Sequence, residues 1–210
     1  MLIHPWDQAS RDEWRDLLGR VDFGQLIAPG RGDYPVVVPS HVIYDGDAQI
    51  WLHLARPNPV WRAIEQNPHV VFSVIADHTY VEAAWNAEDG VPAEHGVPTS
   101  YYSAVQLRCL AEIVDDPDGK FEILTRQLAR LEPARSDRQP PSAAIETDRR
   151  LLPGIRGLRL SIESIQAKMK YGGNKSVEKR QEIAAHLADR NGPMDQSARA
   201  RLLRRSGLAE

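Results

Sequence analysis

Cysteine is nearly missing from this 210-residue chain: Cys109 stands alone. One thiol closes no internal disulfide and builds no cysteine-rich zinc site, which agrees with a reducing compartment. Long apolar runs are missing too. No stretch approaches the roughly 18 uninterrupted apolar residues of a spanning helix, and the opening MLIHPWDQASRDEW carries acids where a secretory signal carries bases and then an apolar run. The expectation is a cytoplasmic protein with no membrane partner. Seven histidines show no HExxH spacing, so no metal site is expected. G-x-S-x-G, the P-loop and G-x-G-x-x-G are all absent, which leaves serine hydrolases, nucleoside triphosphatases and dinucleotide folds without their opening motif. Cys109 itself falls in a strand pattern, where a thiol is buried and inert rather than nucleophilic.

What is present is ordinary globular material. Hydrophobic residues make up 42% and charged residues 26%, close to soluble averages, and the length suits one large or two small domains. Charge is uneven along the chain. The net value is −3, but residues 166–210 hold 10 Lys+Arg against 5 Asp+Glu, so the C-terminal end is basic and the remainder acidic. A polyanion would meet that tail first; the alternative is a plain solvated helix.

Periodicity divides the chain into recognisable pieces. Trp14, Leu17, Leu18 and Val21 recur at helical spacing behind a Ser10/Glu13 capping box. Runs 23–29, 34–44 and 48–55 read as strands parted by GRGD and DGD turns, with Pro35 and Pro39 confining the second to an edge or kink. A short helix over 57–68 precedes strands at 69–77 and 79–85, a polar loop at 86–96 and a long strand within 97–116. A helix over 118–133 follows, then an exposed loop at 134–142. The cleanest strand is 157–165, and two helices close the chain, one capped by Ser176. Turns too short for crossover helices join the first strands, so the sheet is antiparallel. The expected class is mostly β with peripheral helices (α+β): a barrel domain over 1–165 with its N-terminal helix, and a basic helical extension over 166–210.

Three constellations could carry chemistry. In LHLARPNPVWRAI (52–64) a strand ends at Arg56, and a helix begins with Asn58 at the cap and Pro59 at the first position. Open amides, the helix dipole and a guanidinium suit a phosphate; alternatively Arg56 pairs with a surface carboxylate and Trp61 staples the helix. Tyr80, Trp85, Tyr101 and Tyr102 could stack on a planar ring, with Thr99 and Ser100 bonding its polar edge, or could pack as core. Lys168, Lys170, Lys175, Lys179 and Arg180, parted by Gly172-Gly173, could reach a phosphate or stay solvated.

Four ordered blocks carry a family resemblance: HLARPNPVW (53–61), VPTSYY with AVQLRCLAEIVDD, GIRGLRLSIESIQAKMK (154–170) and NKSVEKRQ (174–181). Together they resemble the PaiB family, described as FMN-binding negative transcriptional regulators with the split barrel of pyridoxamine phosphate oxidase-like proteins. The resemblance implies a Greek-key antiparallel split β-barrel of the FMN-binding type, forming a homodimer with flavin, when present, at the subunit interface. It implies cofactor roles for Arg56, Asn58, Trp61, Trp85, Thr99, Ser100, Tyr101, Lys168, Lys170 and Asn174. Three places depart from the family pattern: VPTSYY stands where VPTWNY is common, Ala83-Ala84-Trp85-Asn86 where Pro-Ser-Trp-Tyr is, and Lys170-Tyr171-Gly172-Gly173-Asn174 where Lys-x-x-Gln-Asn is.

The function so implied is FMN-linked transcriptional control. No helix-turn-helix pattern is visible, so the DNA contact, if any, falls to Arg199, Arg201, Arg204 and Arg205. The alternatives are a flavin-dependent oxidoreductase, with Tyr101 and His95 as donors beside the ring, and a small-ligand barrel that has lost FMN.

Overall fold

The computed structural model describes residues 1–30, 32–88 and 90–208. Arg31 of the first turn, Asp89 of the polar loop and the last two residues of the basic extension lie outside the described residues. The chain forms two compact units: Met1–Leu17, Ile75–Val105 and Gln166–Glu210 in the first, and Leu18–Val74 and Gln106–Ile165 in the second.

Seven strands are present among the described residues: β1 (Phe23–Ala28), β2 (Val36–His41), β3 (Ile43–Tyr44), β4 (Gln49–Ala55), β5 (His69–Val81), β6 (Thr99–Val114) and β7 (Ile155–Lys170). Their order is β2-β1-β5-β6-β7-β4-β3. Pairing is antiparallel for β1 with β2 and β5, and for β4 with β3 and β7. The prolines predicted an edge, and β2, which contains Pro39, lies at one end of the strand order, with β3 at the other.

In the second unit, alternate side chains point inward. Leu26, Ile50, Leu52, Phe72, Leu107, Leu158 and Leu160 are buried, as a period of two requires of a half-buried sheet. Helix α4 (Pro117–Leu131) starts where the Asp116 carboxylate accepts the Gly119 N–H. It lays Ile123 against Trp51 and Val114. Gly157 on β7 permits this approach, because a Cβ there would sit 2.5 Å from Ile123 Cδ1.

In the first unit, the capping box forms as read: Ser10 N–H donates to Glu13, and Glu13 N–H to Ser10 Oγ, opening α1 (Arg11–Arg20). Helix α6 (Val177–Arg190) begins at Ser176, whose hydroxyl accepts the Lys179 N–H. It and α7 (Asp195–Arg205) bury Ile183, Leu187, Ala198 and Leu202. No helix among the described residues is long and apolar enough to cross a membrane.

Four local expectations change. Residues 69–77 and 79–85 are not two strands: β5 runs through Asp77, which takes a left-handed backbone (φ 50), and its carboxylate is held by Arg201 Nε at 3.1 Å. Residues Ala83–Asn86 form a short helix, α3, rather than strand. Pro59 caps α2 (Val60–Gln66) instead of occupying its first turn, and Asn58 Oδ1 accepts the Val60 N–H. Beyond 142, residues that lack an apolar stripe form α5 (Glu146–Leu151).

Candidate functional site

A cavity of about 540 Å³ lies within the first unit, inside the usual size range of small-ligand sites. The start of β6 and the end of β7 supply its polar wall. Lys168 and Lys170 are two residues apart on β7 and therefore share a face. Lys170 Nζ donates to Thr99 Oγ1 at 2.7 Å. Burial lowers the Lys170 pKa, and the neighbouring Lys168 charge lowers it further, while Asp7 opposes both. Lys168 is buried, 3.6 Å from the Asp7 carboxylate, and donates to the Leu2 carbonyl.

Tyr101, also in the lining, is 1% exposed and lies edge-on to Tyr171 with ring centroids 5.8 Å apart. Tyr171 is satisfied, donating to the Asp77 carbonyl and bonded to Ser103 Oγ. Tyr101 Oη has no hydrogen-bond partner among the described residues. Burial pushes this phenol up to about 12 and Asp7 adds to the rise, with Arg180 opposing. Gly172, at φ 66, lets the hydroxyl come against the backbone.

The opposite wall comes from α3 and the residues after it. Asn86 Nδ2 donates to the Val97 carbonyl at 2.5 Å, while Asn86 Oδ1 is buried and has no hydrogen-bond partner among the described residues. Lys175 Nζ donates to the Asn86 carbonyl. His95 also lines the cavity, as does Trp6, half exposed and stacked on His4 at 4.8 Å.

The predicted residues thus separate. Thr99, Tyr101, Lys168, Lys170 and Asn174 line the cavity. Ser100 points the other way, by strand alternation. Trp85 is outside the lining: its ring is stacked on His186 at 4.9 Å and carries the Arg190 guanidinium 4.7 Å from its centroid.

Arg56, Asn58 and Trp61 belong to the second unit. Arg56 donates to the Pro153 carbonyl and to Asp115 at 3.0 Å. Arg156 also holds Asp115, reaches Glu65, and lies 5.1 Å from the Trp61 ring centroid. The two guanidiniums, Arg156 foremost, keep the Asp115 carboxyl below the usual range against the opposing effect of burial. The Trp61 indole donates to the Ala55 carbonyl. These are the partners that the surface-pair alternative anticipated.

Most of the tail arginines pair with carboxylates. Arg201 is buried between Asp77 and Asp16, Arg205 donates to Glu13, and Arg204, though exposed, lies 3.9 Å from Asp16; Arg199 is half-buried.

His4, Trp6 and Asp7 escaped the sequence reading. Their place depends on Ala9 N–H donating to the Ala167 carbonyl and on the Gln8–Lys168 bridge, for which no local pattern is a signal. Asn86 showed only as a departure from the family block.

The cavity suits a flavin mononucleotide. It offers ammonium groups for a phosphate, an exposed indole for a ring, and unpartnered polar atoms for a heterocyclic edge. When bound, FMN would supply hydride and electron chemistry that no side chain here provides.

Comparison with known proteins bears on the fold and the family. The fold is similar to that of the FAD and heme binding protein from Mycobacterium smegmatis, with TM-score 0.62 and 20% identity over 85% of this chain and 79% of that one. It is also similar to the flavocytochrome Anf3 from Azotobacter vinelandii, with TM-score 0.58 and 18% identity over 80% of this chain and 75% of that one. At such identities the likeness shows the fold, an α+β antiparallel split barrel. In sequence, the chain is 27% identical over 146 residues to "Protease synthase and sporulation protein PAI 2" of Bacillus subtilis (strain 168), covering 67% of this chain and 65% of that relative, less than two thirds of its length. Residues 1–164 match the family model described as "Putative FMN-binding domain", and the chain belongs to that family of FMN-binding split barrels.

Proposed function

We propose that this chain binds FMN in the cavity of its first unit, with Lys168, Lys170 and Lys175 supplying the positive potential, and that it acts as a homodimer in transcriptional control. The observation that carries the binding reading is a fully buried Tyr101 hydroxyl, without a partner among the described residues, on a residue lining a lysine-bordered cavity of a family member. Leaving such a group unsatisfied costs about 1–3 kcal/mol, which a ligand oxygen would recover. The regulatory part rests on the resemblance to the PaiB family and on a relative named for protease synthase and sporulation. Direct DNA contact through the tail would rest on Arg204, the most exposed of the tail arginines, whose pair with Asp16 is long at 3.9 Å, whereas Arg201 and Arg205 hold carboxylates closely, and it would be strongly salt-dependent.

The test is a titration with FMN, followed by absorbance and melting temperature, on wild type, Lys170→Met and Arg56→Ala. Wild type rises in melting temperature. A weaker rise in Lys170→Met with an unchanged one in Arg56→Ala supports the cavity. The reverse pattern moves the phosphate to the β4–α2 connection, and no response in wild type removes the flavin reading. Light scattering on the same samples reads the dimer, and a monomer at micromolar concentration rejects that part.

One observation favours a second reading, a flavin-dependent oxidoreductase: Tyr101 and His95 both line the cavity. Bleaching of the bound flavin by reduced nicotinamide would support it.

A further inference from the structure

Among the described residues, two that line the cavity carry a buried side-chain atom with no hydrogen-bond partner, Asn86 Oδ1 and Tyr101 Oη; the two differ in kind, and the difference selects a ligand edge. Asn86 Oδ1 can only accept. The amide orientation is set by the Val97 carbonyl, which takes the Nδ2–H; turning the group over would bring two oxygens together, so the acceptor is what remains. Tyr101 Oη, raised to about 12, stays protonated across the physiological range and offers a donor. Lys170 and Lys175 each use one N–H on Thr99 Oγ1 and the Asn86 carbonyl respectively, leaving each ammonium two more.

A matching edge therefore carries a single N–H among oxygens. An amino-bearing purine edge would set further donors beside the ammonium groups. A lone carbonyl would leave Asn86 unmatched. An imide, one N–H between two carbonyls, answers both atoms and gains from the positive potential.

We propose that the cavity selects its ligand through an imide edge, the N–H bonded to Asn86 Oδ1 and a flanking carbonyl oxygen to Tyr101 Oη. This rests on the reading of the cavity as the flavin site, since the pyrimidinedione end of a flavin ring carries that edge. Tyr101 lies within VPTSYY, one of the blocks where this chain departs from its family pattern, so the selectivity belongs to this chain's own residues.

The experiment compares FMN, 3-methyl-FMN and AMP as ligands of the full chain by fluorescence and thermal-shift titration. The 3-methyl group removes the imide donor and leaves the phosphate, so the wild-type comparison needs no substitution. One lost hydrogen bond of this kind predicts about tenfold weaker binding of 3-methyl-FMN. Asn86→Ala should weaken FMN by a similar factor while leaving 3-methyl-FMN unchanged. Tyr101→Phe should weaken FMN without lowering the ligand-free melting temperature. Equal affinity of wild type for FMN and 3-methyl-FMN overturns the imide edge and leaves the flavin reading standing. AMP binding as tightly as FMN overturns it too, because the site would then read phosphate alone. No response to either flavin overturns both readings.

Discussion

Replacing Asp195 by Asn tests how the two C-terminal helices are held. Asp195 opens α7 and is 1% exposed. Its carboxylate accepts from Arg190 Nε at 2.8 Å and Arg190 Nη2 at 2.7 Å, from the Gly192 N–H at 2.8 Å, and from the Thr79 hydroxyl. The Arg190 bonds, aided by Thr79 and Gly192 against the opposing effect of burial, hold the carboxyl at about 2 instead of 3.8. One pKa unit is worth about 1.4 kcal/mol, so the ionised group contributes on the order of 2 kcal/mol at neutral pH. Because the folded pKa is depressed, that contribution is present above the unfolded value and lost as pH falls from 3.8 through about 2. Breaking a buried pair ordinarily costs about 3–5 kcal/mol, when the partner is stranded. Here Arg190 keeps the Tyr80 carbonyl, Thr79 and Glu82, so Asp195→Asn should cost nearer 2–3 kcal/mol by the same reasoning. Urea unfolding of both proteins followed by circular dichroism measures it. The gap should be full at pH 7 and shrink markedly by pH 2.5. A gap under about 0.5 kcal/mol at pH 7, the size of an ordinary surface substitution, or one that does not change with pH, would refute the reasoning.

Gly172→Ala should destabilise by about 1–3 kcal/mol, since φ is 66 and the new Cβ would collide with Tyr101 Oη; adding Tyr101→Phe should recover part of the loss in a thermal melt. Arg56→Ala should change stability by less than about 1 kcal/mol, because the pair is half exposed and Arg156 still holds Asp115; a larger loss in urea unfolding would contradict this. Cys109 should resist a thiol reagent in the native protein at pH 8 and react only on unfolding. It is buried, and burial, with Glu163 adding to it, pushes its thiol up to about 12.

Local signals in the chain were legible wherever a few neighbouring residues decide the outcome. The Ser10/Glu13 box and the Ser176 cap form within one turn, so spacing alone locates them. Pro39 lacks an N–H, which restricts its strand to an edge regardless of the rest of the fold. The same locality misled at 69–77 and 79–85, which read as two strands where the structure has one. There the Arg201 side chain, 124 residues away, holds the Asp77 carboxylate while β5 continues. At Asn58 the neighbouring residues suggest an open helix start, but its side-chain oxygen takes the Val60 N–H and the helix has only seven residues.

By itself, then, the sequence determined the antiparallel α+β class, most of the element boundaries and the block resemblance that identified the family. All of these depend on periodicity and on interactions within a few residues. Only the tertiary structure decided which candidates share a site. Asp7, Asn86, Tyr101 and Lys170 come from four separate stretches, and their common cavity exists because β6, β7 and the N-terminal segment fold into one unit. It also decided which charges remain available, since a guanidinium committed to a carboxylate, as in Arg201 and Arg56, reads identically in sequence to one open to a ligand.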